Sequence, residues 1–471
     1  MKAKLLSLAV VVVALAAPAQ ALASGGTGGA QAALQNATTA QAALGASVSN
    51  QNAVNANVPV SIAGGNVNAG SSSATQNATS TATTNVGNKA YTNQNQSLDQ
   101  NLGSSGCQAG CGGAGGFQAG IQNAQTQQVA IGASKSDQNA VNANVPVSIA
   151  GGNVNSGSSS ATQNANSTAT TNVSNNAKTH QDQTQNQNIG GSSCKLGCGG
   201  AGAYQAGLQN ASTKQVAVGT SNSSQNAVNA NVPVSIAGGD VNSGSSSATQ
   251  NANSTATTDV SNDAKTHQDQ TQNQNIGGSS CLAGCGGAGG FQLGVQKADT
   301  EQAALGVSYS GQNAVNGNAP LSIAGGDVNS GSSSANQNAN STATTDVSND
   351  AKTHQNQQLN QGSGQSCGCS RYGSGSRRES KGCSCSVGSG GNGGSQIAGQ
   401  FADTGQWAAG FAVSKQNAVN SNAPHSTAGQ NVNGGSSSAN QNANSTATTR
   451  VWNDAGTRQG QWNEMPPVAM P

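Results

Sequence analysis

The segment QNAVN opens at Gln51, Gln138, Gln225 and Gln312, at a constant interval of 87 residues, and a fifth time at Gln416 after 104. A period of this length builds an array from one supersecondary unit and does not point to a single active-site cleft. Within the first copy Val54, Ala56, Val58, Val60 and Ile62 alternate with polar residues or Pro59. Alternation with period 2 is the pattern of a half-buried strand.

At 471 residues the chain has the length of roughly three ordinary domains, yet it is only 2% aromatic and 7% charged, with 65 glycines. Hydrophobic residues reach 33%, mostly Ala and Val. At about 25 cal/mol per Å² of apolar area, such side chains offset little of the cost of ordering a backbone. Two states remain open: repeats stacked through main-chain and Asn/Gln ladders, or disorder. Without Lys2 and Lys4 there are 15 basic residues (17 less 2) against 16 acidic, a net of −1. A near-neutral chain has little to oppose self-association. No basic stripe with interleaved aromatics exists, so nucleic acid is not an expected partner.

Lys2 and Lys4, the apolar stretch from Leu5 to Ala17 and the Ala21-Leu22-Ala23 exit before Ser24 read as a signal peptide over 1–23. The apolar stretch is short for a bilayer span, and no later segment is apolar enough for one. The mature chain is expected outside the cell, without a membrane span. Residues 24–50 form a partial repeat: GGTGGAQAALQNATTAQAALGASVSN, from Gly25, aligns with GGAGGFQAGIQNAQTQQVAIGASKSD, which ends at Asp137. Repeats then span 51–137, 138–224, 225–311, 312–415 (with a Cys- and Arg-rich insertion) and a truncated 416–471. The natural unit begins at the glycine cluster.

Three segments of the unit have strand character. Val54 to Ile62 is closed by Gly64-Gly65, a turn signal that could fold the chain back as a hairpin. From Ala74 to Val86, Ala74, Ala78, Ala82 and Val86 share one parity, while Thr75, Thr79, Thr81 and Thr83 share the other. From Phe117 to Ala133 both helix and strand spacings fit, and Gly120 and Gly132 favour strand. Gln181 to Asn188 has no apolar face and reads as a loop or as an amide-ladder strand. Gln-Asn dyads start unevenly, at Gln51, Gln76, Gln94, Gln122 and Gln138, which predicts strands of unequal length.

Cysteine is the strongest chemical signal. Cys107/Cys111, Cys194/Cys198 and Cys281/Cys285 form C-x3-C pairs, and Cys367, Cys369, Cys383 and Cys385 complete ten. An even number in an exported chain favours disulfides whose partners the sequence leaves undetermined. His180, His267 and His354 lie in KTHQ, the first two ahead of a C-x3-C, a pattern compatible with zinc. Asn93 replaces His in the first copy and the fourth copy breaks the cysteine spacing, so neither metal nor other cofactor is expected. No G-x-S-x-G, H-E-x-x-H or G-x4-G-K-[ST] motif occurs, and an enzyme is not expected. The island SRYGSGSRRESKG, with Arg371, Arg377, Arg378 and Lys381, reads as a solvated insertion.

The stretch Val58-Pro59-Val60-Ser61-Ile62-Ala63-Gly64-Gly65-Asn66-Val67-Asn68 resembles the core of the chaplins, actinobacterial surface proteins with a pattern close to VPVSVCGNSVNV. Gln118-Ala119-Gly120-Ile121-Gln122-Asn123-Ala124 resembles curlin repeats. Both resemblances imply a secreted, cross-β, self-assembling protein. The expected fold is an all-β repeat, a β-solenoid or stacked hairpins, with flexible Gly/Ser/Asn-rich segments. The expected role is a secreted structural protein that assembles with itself into a cell-surface layer or fibre of the functional-amyloid kind. Its ladders would come from Gln51, Asn52, Gln76, Asn77, Gln138, Asn139, Gln225 and Asn226. The alternatives are an adhesin or glycan- or ice-binding solenoid presenting Thr79, Thr81 and Thr83, and a disordered wall spacer. Cell-wall polymer and other surface proteins are further candidate partners.

Overall fold

Small and polar residues in alternation give each segment little to pack on except its own copy. The computed structural model describes residues 28–103, 106–109, 115–190, 193–196, 201–277, 280–281, 289–363 and 394–464. In it every repeat forms one rung of a β-solenoid, and all strand pairings among the described residues are parallel.

Each rung has two long strands. The first of each rung (Gly28–Asn57, Gly115–Asn144, Gly202–Asn231, Gly289–Asn318, Gly394–Asn422) joins its copies in a front sheet. The second (Ser72–Leu102, Ser159–Ile189, Ser246–Ile276, Ser333–Ser363, Ser437–Glu464) does so in a back sheet. Pairing is in register, so Gln51, Gln138, Gln225, Gln312 and Gln416 fall in one column. The segment that fitted either helix or strand is strand, as is Gln181 to Asn188. The Ser/Thr/Asn tract from Ala74 to Val86, expected as strand, lies within the long strand Ser72–Leu102. The long strands of a complete rung are near-equal, at 30 and 31 residues. Dyad spacing is uneven because the dyads lie on both arms of the rung, with a corner between some of them.

That corner is written in Pro and Gly. Pro59, Pro146, Pro233, Pro320 and Pro424 fall between the long strand and a four-residue strand, Val60–Ala63 in rung 1. A missing N–H breaks no ladder there, and the Pro59 carbonyl still accepts from Val147 N (2.8 Å). The glycine pair does turn the chain, but not into a hairpin. Val60–Ala63 and Val67–Ala69 belong to different sheets, each pairing with its own copies. The two arms therefore meet through side chains. Glycine is needed at the corner because rungs approach closely: a Cβ on Gly151 would lie 2.5 Å from Gly64 O.

Between the sheets, buried alanines and valines form short columns such as Ala78, Ala165, Ala252 and Ala339 against Ala140, Ala227 and Ala314. A second set packs Val173, Val260 and Val347 on Ala130, Ala217 and Ala304. Beside it runs a glycine column at Gly45, Gly132, Gly219, Gly306 and Gly410. A Cβ at Gly219 would meet Val260 Cγ2 at 2.7 Å and Thr258 Cγ2 at 2.8 Å. Gly219→Ala should destabilise by about 1–3 kcal/mol through overpacking. Gly317→Ala, with nothing within 4 Å and Ala230 beside it in register, should be neutral or mildly stabilising. Urea unfolding of the two variants measures the contrast.

Candidate assembly surfaces

In-register stacking places each side chain over its own copy, and a primary amide suits that position because it both donates and accepts. Gln118 Nε2 donates to Gln31 Oε1 (3.1 Å), Gln205 to Gln118 (3.0 Å) and Gln292 to Gln205 (2.9 Å). Columns from Gln35 and Gln41 repeat the pattern in the front sheet, and one from Gln94 does so in the back sheet. Asn55 and Asn57 begin two more, with Asn142 donating to Asn229 Oδ1 (2.9 Å) and Asn144 to Asn231 Oδ1 (3.0 Å). Many of these amides also cross to the facing sheet: Gln118 Nε2 reaches Asn186 O (3.0 Å) and Gln122 Nε2 reaches Asp182 O (2.8 Å). One side chain thus ties rung to rung and sheet to sheet. In the inward glutamine columns the donor belongs to the later rung, so those ladders are directional.

Three of the four expected columns are ladders. Gln163 donates to Gln76 (2.9 Å), Asn164 to Asn77 (2.9 Å), and Asn139 to Asn52 (2.9 Å), with Asn226 continuing to Asn139 (2.9 Å). The Gln51 column is a correction. Gln225 Nε2 crosses to Ala165 O (2.5 Å), and neither end of the Gln138 amide finds a partner. These side chains face the alanine strip, where a main-chain carbonyl is the nearest acceptor. The columns from Gln31, Gln35 and Gln41 were not anticipated. Their signal is a glutamine held at one strand parity at every 87-residue step, in a segment whose spacing also fitted a helix.

His180, His267 and His354 stack on the outer back face with ring centroids 4.9 and 4.8 Å apart. His180 and His267 bond Asp182 and Asp269 at 3.0 and 2.8 Å. Cys107, Cys194 and Cys281 hold matching backbone positions in a short parallel sheet of Gly106–Ala109, Ser193–Leu196 and Ser280–Cys281. Cys111, Cys198, Cys285, Cys367, Cys369, Cys383 and Cys385 lie outside the described residues, as do the leader and the SRYGSGSRRESKG island. Among the described residues no group of three or more His, Cys, Asp or Glu is placed to hold a metal ion.

The two outer faces differ. Leu44, Val54, Ile121, Ile131, Val141 and Val228 are exposed on the front, and Phe117, Tyr204 and Phe291 stack there at 5.2 and 5.0 Å. The back carries Thr, Ser, Asn, His, Lys and Asp. Its outward large hydrophobics, among the described residues, are Tyr91, Trp452 and Trp462 in the first and last rungs. Among the described residues nothing covers either end of the stack. Rung 1 therefore presents one sheet edge from each long strand, and rung 5 presents another.

Charge is scarce because a charged column repels itself. The column Asn85, Asn172, Asp259, Asp346, Arg450 shows the effect. Asn172 donates to Asn85 (2.9 Å), but burial and then the Asp346 carboxylate raise the Asp259 pKa. A raised carboxylate pKa costs nothing below the unfolded value and destabilises increasingly as pH rises through the folded one. Asp259→Asn should therefore stabilise the fold near pH 7 by about 0.2–1 kcal/mol, with a smaller gain below the ordinary Asp value of 3.8. Thermal melts across pH test this. Gln205→Glu, which removes the donating N–H from a fully buried column, should cost at least about 3 kcal/mol at neutral pH and less in acid. Comparison with known proteins finds no matching family model, no matching curated protein and no matching solved structure; the function rests on the ladders, ends and faces.

Proposed function

We propose that this chain is a secreted structural protein that assembles with itself, rung upon rung, into a fibre or layer at the cell surface or in the extracellular matrix. The observation that carries the reading is the pair of stack ends that nothing covers among the described residues. A solenoid that stays monomeric ordinarily caps its terminal repeats, and an exposed straight sheet edge is a template for another chain. Here rung 5 keeps the inward amides that continue a ladder, Gln400, Gln406, Asn420, Asn422 and Gln459.

Extending the register between rungs seats rung 5 of one copy on rung 1 of the next. Asp454 then meets Lys89, Trp452 lies over Gly87, and Tyr91 lies over Gly456. At the last strand position Glu464 shares the backbone register of Asp99. The corner continues in the same sense. Asn66 Oδ1 accepts from Asn153 N, and Asp327 Oδ1 from Asn431 N, leaving the Asn66 N–H of the next copy to meet rung 5. Export rests on the leader over 1–23, and disulfides between or within rungs rest on the cysteine pattern.

A glycan- or ice-binding solenoid is the second reading, supported by the flat Thr columns through Thr81 and Thr83 on the back. A persistently monomeric protein with such binding would select it. A disordered spacer does not fit the parallel β-fold of the described residues.

The test blocks one end. Ser72 N donates to Ser158 O in rung 2, so by alternation the N–H of Thr81 points away from the stack, and the same reasoning from Asn57 places Ala40. Thr81→Pro with Ala40→Pro removes edge donors without breaking an existing rung bond. The mature chain should form fibres with a reflection near 4.7–4.8 Å, and the double variant should not elongate. Wild-type protein that stays monomeric at every concentration, or fibres indifferent to the prolines, would contradict the proposal.

A further inference from the structure

The front face is far larger than stacking requires. With strands of 29 or 30 residues in five rungs, it measures about 100 Å by about 24 Å, or roughly 2,400 Å². A stable interface needs about 800 Å² per partner. We infer that the front face is a second interface, which pairs with the front face of another copy of this chain around a two-fold axis parallel to the solenoid axis. This goes beyond the end-to-end reading and uses a surface that rung stacking leaves free.

Charge selects the occupant. The face carries four lysines (Lys135, Lys214, Lys297, Lys415) and four acids (Asp137, Asp299, Glu301, Asp403), a net of zero. Six of the eight are paired within the face: Lys135–Asp137 at 2.7 Å, Lys214–Glu301 at 2.8 Å and Lys297–Asp299 at 2.8 Å. A hydrocarbon surface would strip these groups of water without returning a partner. A polyanion would need a net positive face. A neutral face of mixed sign fits a copy of itself.

Their placement gives the symmetry. The charged columns flank the central column Leu44, Ile131, Val218, Leu305, Ala409, four to six residues to either side, with Lys297 eight residues out. A two-fold axis along that column exchanges the two flanks within each rung. Asp403 then meets Lys415 of the partner copy, and no residue of one sign meets its like. The same exchange brings Trp407 to the partner copy's Phe411, and the Ile121 column to the Val141 column. Because the axis runs along the solenoid, both copies keep the same polarity and their ends stay free for stacking.

Charge on the axis column meets its own image, which supplies the test. In a chain end-blocked on the back strand alone (Thr81→Pro, Thr83→Pro), which leaves the front face untouched, sedimentation should show a dimer, independent of whether unblocked chains form fibres. Adding Ile131→Lys and Val218→Lys, both outward-facing, should weaken the dimer at least 100-fold while circular dichroism stays unchanged. Ile131→Glu with Val218→Glu should do the same alone, and mixing the lysine and glutamate variants should restore dimers. A monomeric end-blocked chain overturns the inference, as does a dimer indifferent to the lysines or a lysine pair that no glutamate partner rescues. Adsorption of that monomer to phosphatidylcholine vesicles would assign the face to an apolar boundary instead. Fibres formed by the unblocked lysine variant would show that pairing had failed while stacking held.

Discussion

Parallel pairing with each residue over its own copy is the constraint from which the rest follows. Identical side chains recur every ~4.8 Å along a column, so every column must be something that tolerates itself. Amides do, because one end donates and the other accepts. Aromatic rings do, as Phe117, Tyr204 and Phe291 show. Alanine and glycine do so by being small. Carboxylates do so less well: Asp182 lies over Asp269 and Asp263 over Asp350, but burial and then the neighbouring Asp346 raise the pKa of Asp259. The 7% charge content and the wealth of Gln and Asn are therefore consequences of the architecture.

The interior differs accordingly from a hydrophobic core. Fully buried glutamines such as Gln118, Gln122 and Gln205 are among its largest side chains, and most of its buried hydrophobic residues are alanines. Each net hydrogen bond contributes only about 0.5–1.5 kcal/mol, but the bonds are repeated at every rung and many serve two directions at once. The inward glutamine ladders have a sense, donor in the later rung and acceptor in the earlier. The stack is consequently polar, with unlike ends, and two-faced, with most of the exposed large hydrophobic side chains on the front and a polar back.

Much of this was legible in the residues. The 87-residue step fixed the rung, and the alternation of Ala74, Ala78, Ala82 and Val86 with Thr separated the inner and outer faces of the back strand. Pro59 and Gly64-Gly65 marked the corner. Three things were not legible. The corner looked like a hairpin because local sequence specifies a reversal but not whether the arms then pair by main chain or by side chain. The Gln51 column looked like a ladder because recurrence in register was visible while the acceptor offered by Ala165 on the facing sheet was not. The Gln31, Gln35 and Gln41 columns were hidden because Gly and Ala spacing in that segment is compatible with a helix until a neighbouring copy is present. The sidedness of the slab emerged only once the sheet assignment placed the fourteen or fifteen outward positions of each front strand together.

The central claim is that the last rung of one molecule continues onto the first rung of the next in the register used inside the chain. Spin labels at positions 91 and 456 read it directly, because these positions share one column at opposite ends of the stack. In isolated molecules the labels should lie about 19 Å apart, four rung spacings. On assembly a second population should appear at one rung spacing, visible as strong exchange coupling between adjacent copies. Assemblies that retain only the longer separation, or that give a broad spread of distances, would contradict the account.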